Sequence, residues 1–175
     1  MIRPSALLIL SAALSATTLA TPARAQAQAV GAAEKARASV ALIYPLTVVK
    51  KSDMDFGYLS ATTAGTAVLE PNANVLSTTG GVQAMGGTPT AAEFIGAAQS
   101  SAVVNIRLPN RAITLTRVGG TETMTVNNWT LQGQSKRTLA RMSSFTFRVG
   151  GTLNVQANQP EGFYTGSFDI TVQYP

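Results

Sequence analysis

The chain has 175 residues, with 13 Lys and Arg against 8 Asp and Glu, and it contains neither His nor Cys. These two absences exclude an imidazole base, a Ser–His or Cys nucleophile, a disulfide framework and any metal site built on His or thiolate ligands. Only 12% of the residues are charged, so the formal charge of +5 reflects few acids rather than a dense basic face. The basic residues are scattered, and we therefore expect no nucleic-acid binding.

The first 25 residues have the organisation of a secretory signal peptide. Arg3 provides a positive start, an apolar stretch follows over residues 6–19, and an Ala-Arg-Ala triplet at 23–25 places small residues where a signal peptidase reads them. The apolar stretch is shorter than the about 20 residues that a membrane span needs. We therefore predict residues 1–25 as a signal peptide, no membrane span in the mature chain, and export to the periplasm and then to the cell surface or the extracellular space.

A single β-domain is predicted to follow over residues 39–175, after a flexible mature N-terminus at 26–38 that is rich in Ala and Gln. The domain opens on residues 39–49, where apolar residues alternate as they do in a strand. The residues of one parity are Val40, Leu42, Tyr44, Leu46 and Val48. Pro45 has no N–H to donate, so this segment is predicted to be either an edge strand or two strands broken at Pro45.

Short β-type runs separated by turn residues fill the middle of the domain. Residues 66–69 and 103–108 are predicted as strands because they are apolar or β-branched and end at Pro and Asn. Residues 75–90 are predicted as a loop with at most a short strand, because they contain two Gly-Gly pairs and Pro89. The Ala-rich run at 90–99 is the one place where we expect one or two helical turns.

Two segments share a pattern in which a β-type run leads into a Gly-Gly pair and a second β-type run. The pairs are Gly119-Gly120 and Gly150-Gly151. Paired glycines accept the positive φ of tight hairpin turns, so each pattern predicts a hairpin. The similarity fits either an internal duplication or a turn that occurs twice, and we favour the second interpretation.

The last seven residues before Pro175 show the clearest strand pattern in the sequence. One face of this strand consists of Phe168, Ile170, Val172 and Tyr174. The other face is formed by Asp169, Thr171 and Gln173. Many short strands without a sustained helical period predict an all-β protein, an antiparallel β-sandwich.

The remaining polar and aromatic residues give no catalytic pattern. Asp53 and Asp55 share one face of an extended segment and could ligate a hard cation such as calcium, but two carboxylates are few, and we expect them to border a strand and a turn. The aromatic residues Trp129, Tyr58, Phe94, Phe163 and Tyr164 are interpreted as core residues rather than as a sugar-binding surface. We therefore predict no catalytic residues, no metal, no cofactor and no enzymatic activity.

Three stretches together resemble a known family. They are residues 40–57, which end in Asp-Phe-Gly, residues 92–109 from Ala-Glu-Phe-Ile-Gly to Ile-Arg-Leu-Pro, and residues 147–174. In order and spacing they resemble the domain-of-unknown-function 4402 family of exported bacterial proteins. The closing pattern Gly-x-Phe-x-Ile-x-Val-x-Tyr is also similar to the ends of chaperone–usher pilins and spore-coat-U-like fimbrial domains.

The pilin resemblance implies an immunoglobulin-like sandwich that lacks a strand, and an assembly mechanism in which the missing strand comes from elsewhere. In such a mechanism residues 39–49 are the donor strand and Phe168 to Tyr174 form the edge that accepts a strand. The implied partners are other copies or related subunits, a periplasmic chaperone and an outer-membrane usher. The implied function is a structural subunit of a fimbria-like fibre or surface coat, with a role in cell adhesion.

Two departures from the pilins keep a second hypothesis open. Many pilins carry a disulfide, whereas this chain has no Cys, and Pro45 interrupts the donor segment. If residues 40–49 complete their own sandwich, the protein is a self-contained monomeric binding module for a carbohydrate or another surface ligand. Its binding loops would then lie between residues 75 and 90.

Overall fold

The computed structural model describes residues 37–140 and 144–175, in which eleven β-strands pair antiparallel. The strands are β1 (Thr47–Ser52), β2 (Tyr58–Glu70), β3 (Val75–Gly86), β4 (Ala92–Ala97), β5 (Val103–Arg107), β6 (Ile113–Arg117), β7 (Thr123–Leu131), β8 (Lys136–Thr138), β9 (Ser144–Val155), β10 (Tyr164–Thr165) and β11 (Thr171–Gln173). The predicted all-β fold is confirmed. The predicted signal peptide, and the predicted flexible N-terminus up to residue 36, lie outside the described residues. No helix that could cross a membrane occurs within the described ranges.

The larger sheet is organised around β9. The first half of β9 pairs with β4, and its second half pairs along the same edge with β2, from Leu69 opposite Gly151 to Gly65 opposite Val155. The other edge of β9 pairs with β7. The strand order is β1-β4-β9-β7-β6-β10, with β2 added to β9 and β3 added to β2. A second sheet has three strands in the order β11-β5-β8.

Two hydrophobic clusters fill the domain formed by Ala41–Pro175. The first cluster lies between the two sheets and combines buried side chains of β4 and β9 with those of β5; its buried members include Phe94, Phe147 and Val104. The second cluster lies where β2, β3, β7 and β9 meet and includes Ala67, Val82 and Leu153. Trp129 packs against both clusters. Two sheets around a shared core form the β-sandwich that the sequence predicts.

Two predictions for residues 75–99 are wrong. The predicted loop at 75–90 contains the twelve-residue strand β3, and the predicted helical turns at 90–99 are strand β4. Burial alternates along β4: Ala92, Phe94 and Gly96 are buried, and the residues between them are half-buried or exposed. Pairing with β1 and β9 decides the conformation here, and it overrides the local preference of an Ala-rich run.

The two Gly-Gly pairs have different roles. Gly119-Gly120 lies in the turn between β6 and β7, as predicted, and Gly119 has a φ of 77°. Gly150-Gly151 lies inside β9, so the predicted hairpin there is wrong. A Cβ on Gly150 would lie 2.1 Å from the carbonyl oxygen of Leu69, so glycine is needed for the close approach of two strands.

Candidate assembly site

The residues predicted to accept a strand lie on β11 and just before it. Phe168, Ile170, Val172 and Tyr174 are half-buried and pack against the first cluster. The ring centroid of Phe168 lies 4.7 Å from that of Trp129 and 6.4 Å from that of Phe94. The predicted alternation is therefore present, with these four side chains turned toward the core.

Strand β11 uses one of its two edges. It pairs with β5, with Thr171 opposite Arg107 and Gln173 opposite Asn105. Within the described residues no strand pairs with its other edge. Because the backbone groups of an edge strand can pair with another strand, this edge can accept one.

The residues predicted to donate a strand fall into two groups in the structure. Leu46 and Val48 pack against the first cluster, and β1 pairs with β4, with Thr47 opposite Ala97. These two residues therefore belong to the domain's own sandwich. By contrast Val40, Leu42 and Tyr44 belong to no strand, and 93%, 98% and 72% of their surfaces are exposed.

An ion-pair network holds β1 to the larger sheet. The Lys51 ammonium lies 2.8 Å from a carboxylate oxygen of Glu93 on β4, and the Arg148 guanidinium of β9 lies 3.4 Å from the other oxygen. The hydrogen bond from Lys51, aided by the charge of Arg148, lowers the pKa of Glu93 below its usual value of 4.5. Three neighbouring strands are thus linked side by side, which fixes β1 as part of this domain.

Residues 41–45, here called the leading segment, enter β1 beside the end of β11. The Tyr174 hydroxyl donates a hydrogen bond to the Tyr44 carbonyl oxygen at 3.1 Å and accepts one from the Gln99 N–H at 3.2 Å. An open cavity of about 460 Å³ adjoins this contact. It is lined by Ile43, Gln99, Ser100, Ser101, Ala102 and Tyr174. The leading segment therefore contacts the residue that directly follows β11.

Strand β8, at the other end of the three-stranded sheet, is protected by Arg137. Its guanidinium donates hydrogen bonds to the carbonyl oxygens of Gln134, Thr146 and Gln132 and lies 5.9 Å from the centre of the Phe147 ring. Burial lowers the pKa of this guanidinium. Sequence reasoning did not single out Arg137, because its acceptors lie on the turn at residues 132–134 and on β9, and only the fold brings these two segments together.

In the described part of the chain, no three His, Cys, Asp or Glu residues come together as a group that could hold a metal ion. Asp53 is paired with Lys50 at 2.6 Å, and Asp55 accepts a hydrogen bond from the Gly57 N–H at 2.7 Å. Asp55 also forms a backbone bridge with Thr90. The two carboxylates therefore border strand β1 and the turn that follows it.

The aromatic residues are divided between core and surface. Phe94 is buried, and Trp129 is half-buried with its indole N–H donating to the Arg111 carbonyl oxygen at 3.0 Å. Tyr58 and Phe163 are largely exposed, so the interpretation of all five aromatic residues as core is wrong for these two. Tyr58 is the first residue of β2, and Phe163 directly precedes β10. The small number of aromatic residues in the sequence does not show which of them lie at such ends.

Comparison with known proteins identifies the family. No curated protein and no solved structure matches the chain. Residues 46–174 match the family described as "Domain of unknown function (DUF4402)", a region that runs from the start of β1 to the end of β11. The chain therefore belongs to the DUF4402 family.

Proposed function

We propose that this protein is an exported structural subunit of a fimbria-like fibre or surface coat, which assembles when the N-terminal strand of one copy adds to β11 of the next. The observation that carries the proposal is the combination of an exposed apolar segment and a free sheet edge in one domain. The pilin-like closing pattern of the sequence supports the same reading. On this proposal the chain carries no catalytic site and needs no cofactor.

Strand addition would combine main-chain pairing at the edge of β11 with burial of apolar side chains from the donor segment. The main chain of an added strand pairs with the open edge, and its alternate side chains enter the apolar layer behind that edge. Leu42 and Tyr44 have the required spacing of two, as does Val40 before them. Val172 on β11 and Ile170 just before it are only half-buried, and both gain further burial when a strand covers them.

The donor that we propose is shorter than the predicted residues 39–49. Leu46 and Val48 already pack in their own domain, so the donor in this proposal consists of Val40 and the leading segment. Pro45 then lies at the junction between the donor and β1, where a missing N–H costs neither strand a hydrogen bond. Before assembly, the free β11 edge requires a cover, and a periplasmic chaperone followed by an outer-membrane usher would supply it.

A synthetic peptide of residues 38–46 tests the proposal. We expect it to raise the melting temperature of the purified chain in a concentration-dependent manner, because a ligand that binds only the folded state stabilises it. The same peptide with Leu42→Asp is the matched control and should have no effect, since a carboxylate would be buried without a partner. Equal melting temperatures with and without the unmodified peptide, at millimolar concentration, would refute strand addition at β11.

The pairing of β1 with β4 favours a second candidate, a self-contained monomeric binding module. The sequence analysis placed its ligand loops at residues 75–90, but residues 75–86 form β3, which leaves a shorter connection before β4. A glycan screen of the purified chain tests this candidate directly. Binding to a defined sugar, together with no response to the peptide, would favour it over the fibre subunit.

A further inference from the structure

The hairpin of β2 and β3 is almost free of charge. From Phe56 to Ala92 the only charged residue is Glu70, at the last position of β2. Tyr58, Val75 and Met85 within this hairpin are all half or more exposed. Tyr58 and Met85 lie at the end of the hairpin where Tyr58 is opposite Gly86, and Val75 lies at the other end, opposite Glu70. The hairpin therefore presents apolar side chains and a single charge to solvent along its length.

Strand β3 also leaves a long edge unpaired. It has twelve residues, contains no proline, and within the described residues pairs only with β2. The other edge strands of the two sheets either carry charged side chains or are only two or three residues long. Strand β1 carries Lys50 and Lys51 together with an irregularity in its pairing, β8 carries Lys136 and Arg137, and β10 and β11 have two and three residues. Natural proteins protect long edges with charges, prolines or bulges, and β3 has neither of the first two.

The regular part of this edge is Val75–Thr79. Gly80 has a φ of 67°, and the pairing with β2 shifts register between Ala61 and Gly65, so the strand changes direction after Thr79. Before this point the pairing is continuous from Glu70 opposite Val75 to Thr66 opposite Thr79. At the end of this stretch the Thr66 and Thr79 hydroxyl oxygens form a hydrogen bond at 2.7 Å.

We propose that the edge of β3 over Val75–Thr79 pairs antiparallel with the same edge of a second copy of the chain. In such a two-fold arrangement each strand faces itself, so a charge on β3 would lie near an identical charge of the partner. The strand has no charge, although the whole chain carries a formal charge of +5. A different partner would place no such restriction, because an unlike charge could complement one on β3. The lack of charge therefore favours a second copy as the occupant.

Sedimentation velocity of the purified chain over a wide concentration range tests the pairing. We expect the unmodified chain to form a dimer in a concentration-dependent manner. Ser77→Lys should raise the dissociation constant of this dimer at least tenfold, because Ser77 is exposed near the middle of the edge and two ammonium groups would then be close together. Thr125→Lys is the matched control, since Thr125 is also exposed but lies on β7, between β6 and β9, and it should leave the dimer unchanged.

Hydrogen exchange at the proposed edge and a second charged variant provide two further tests of the β3 pairing. The amides of residues 75–79 should exchange more slowly at high than at low protein concentration. If Ser77→Lys does not fold, Val75→Lys provides a second charged variant within the same edge, since Val75 is also exposed. Leu42→Asp removes strand addition at β11 but should leave the β3 dimer intact. If Leu42→Asp abolishes self-association and Ser77→Lys does not, the β3 pairing is wrong and the strand-addition proposal stands. A chain that remains monomeric at all concentrations contradicts the β3 pairing, whatever the result of the peptide experiment.

Discussion

The two outer strands of the three-stranded sheet, β8 and β11, both have an unpaired edge, but one edge is charged and the other is not. Strand β8 carries Lys136 and Arg137, and the Arg137 guanidinium is bound to carbonyl oxygens around it. Strand β11 carries no charge, and Val172 on it and Ile170 just before it are only half-buried against the core. Because a charged edge resists pairing and a neutral one does not, the comparison indicates which end of the sheet is available to a partner.

The largest expected effect comes from Phe147, which lies in the first hydrophobic cluster. It is fully buried, stacks on Phe94 at a centroid distance of 5.3 Å, and lies below Arg137 on the β8 side. Phe147→Ala should lower the free energy of unfolding by about 3–5 kcal/mol, as expected for a large buried aromatic side chain. Denaturation in urea measures the loss, and Val118→Ala at an exposed position should change it by less than about 0.5 kcal/mol. Equal losses in the two variants would contradict this account of the core.

The next largest effect on stability is expected for Arg137 on β8, and it should not extend to β11. Arg137→Ala removes the donor for three carbonyl oxygens and should lower the free energy of unfolding by about 1–3 kcal/mol. Arg137→Lys should restore only part of this, because an ammonium group does not reproduce the planar fork of donors. Binding of the 38–46 peptide should not change in either variant, since β11 lies at the other end of the sheet. A loss of peptide binding would show that the two edges are not independent.

A smaller effect is expected at the contact between the leading segment and β11. Tyr174→Phe removes the hydrogen bonds to Tyr44 and Gln99 and should lower the free energy of unfolding by about 0.5–1.5 kcal/mol. Hydrogen exchange at Gln99 should become faster, because its N–H loses its acceptor. An unchanged exchange rate would indicate that this hydrogen bond does not persist in solution.

The smallest effect on stability tests the character of the open edge itself. Thr171→Glu places a charge on β11 opposite Arg107, and Thr138→Glu places the same charge on β8. Both positions are exposed, so each variant should stay within about 0.5 kcal/mol of the unmodified chain. Thr171→Glu should weaken binding of the 38–46 peptide by about 0.2–1 kcal/mol, the size of one cross-strand pair, whereas Thr138→Glu should not. Isothermal titration of both variants decides between an edge-specific effect and a general one.

Sequence reasoning succeeded where the pattern is local. The alternation from Phe168 to Tyr174 predicts which side chains face the core, and Gly119-Gly120 predicts a turn, because neither depends on a distant partner. The all-β class follows from the same short-range evidence.

It failed where small residues are placed in a sheet by their neighbours. The sequence of β3 looks like a loop, and Gly150-Gly151 looks like a turn, but Leu69 and Thr130 approach Gly150 so closely that only glycine fits. At the candidate site, β11 has an unpaired edge within the described residues and Leu42 is exposed, whereas Leu46 and Val48 pack against the first cluster. Which half of an alternating strand is buried depends on the partner strand, and that information is not in the segment.

The central position of β9 has a consequence for the order in which the chain folds. Strand β9 comes late in the sequence, yet it provides the partner for β2, β4 and β7, and it contributes side chains to both hydrophobic clusters. Neither cluster is complete until residues 144–155 have joined the sheet. Such distant pairing slows folding, and until it is complete the β2–β3 hairpin, with Glu70 as its single charge, exposes both of its edges. The chain is therefore most prone to aggregation before β9 docks, a period when a chaperone would be of greatest use.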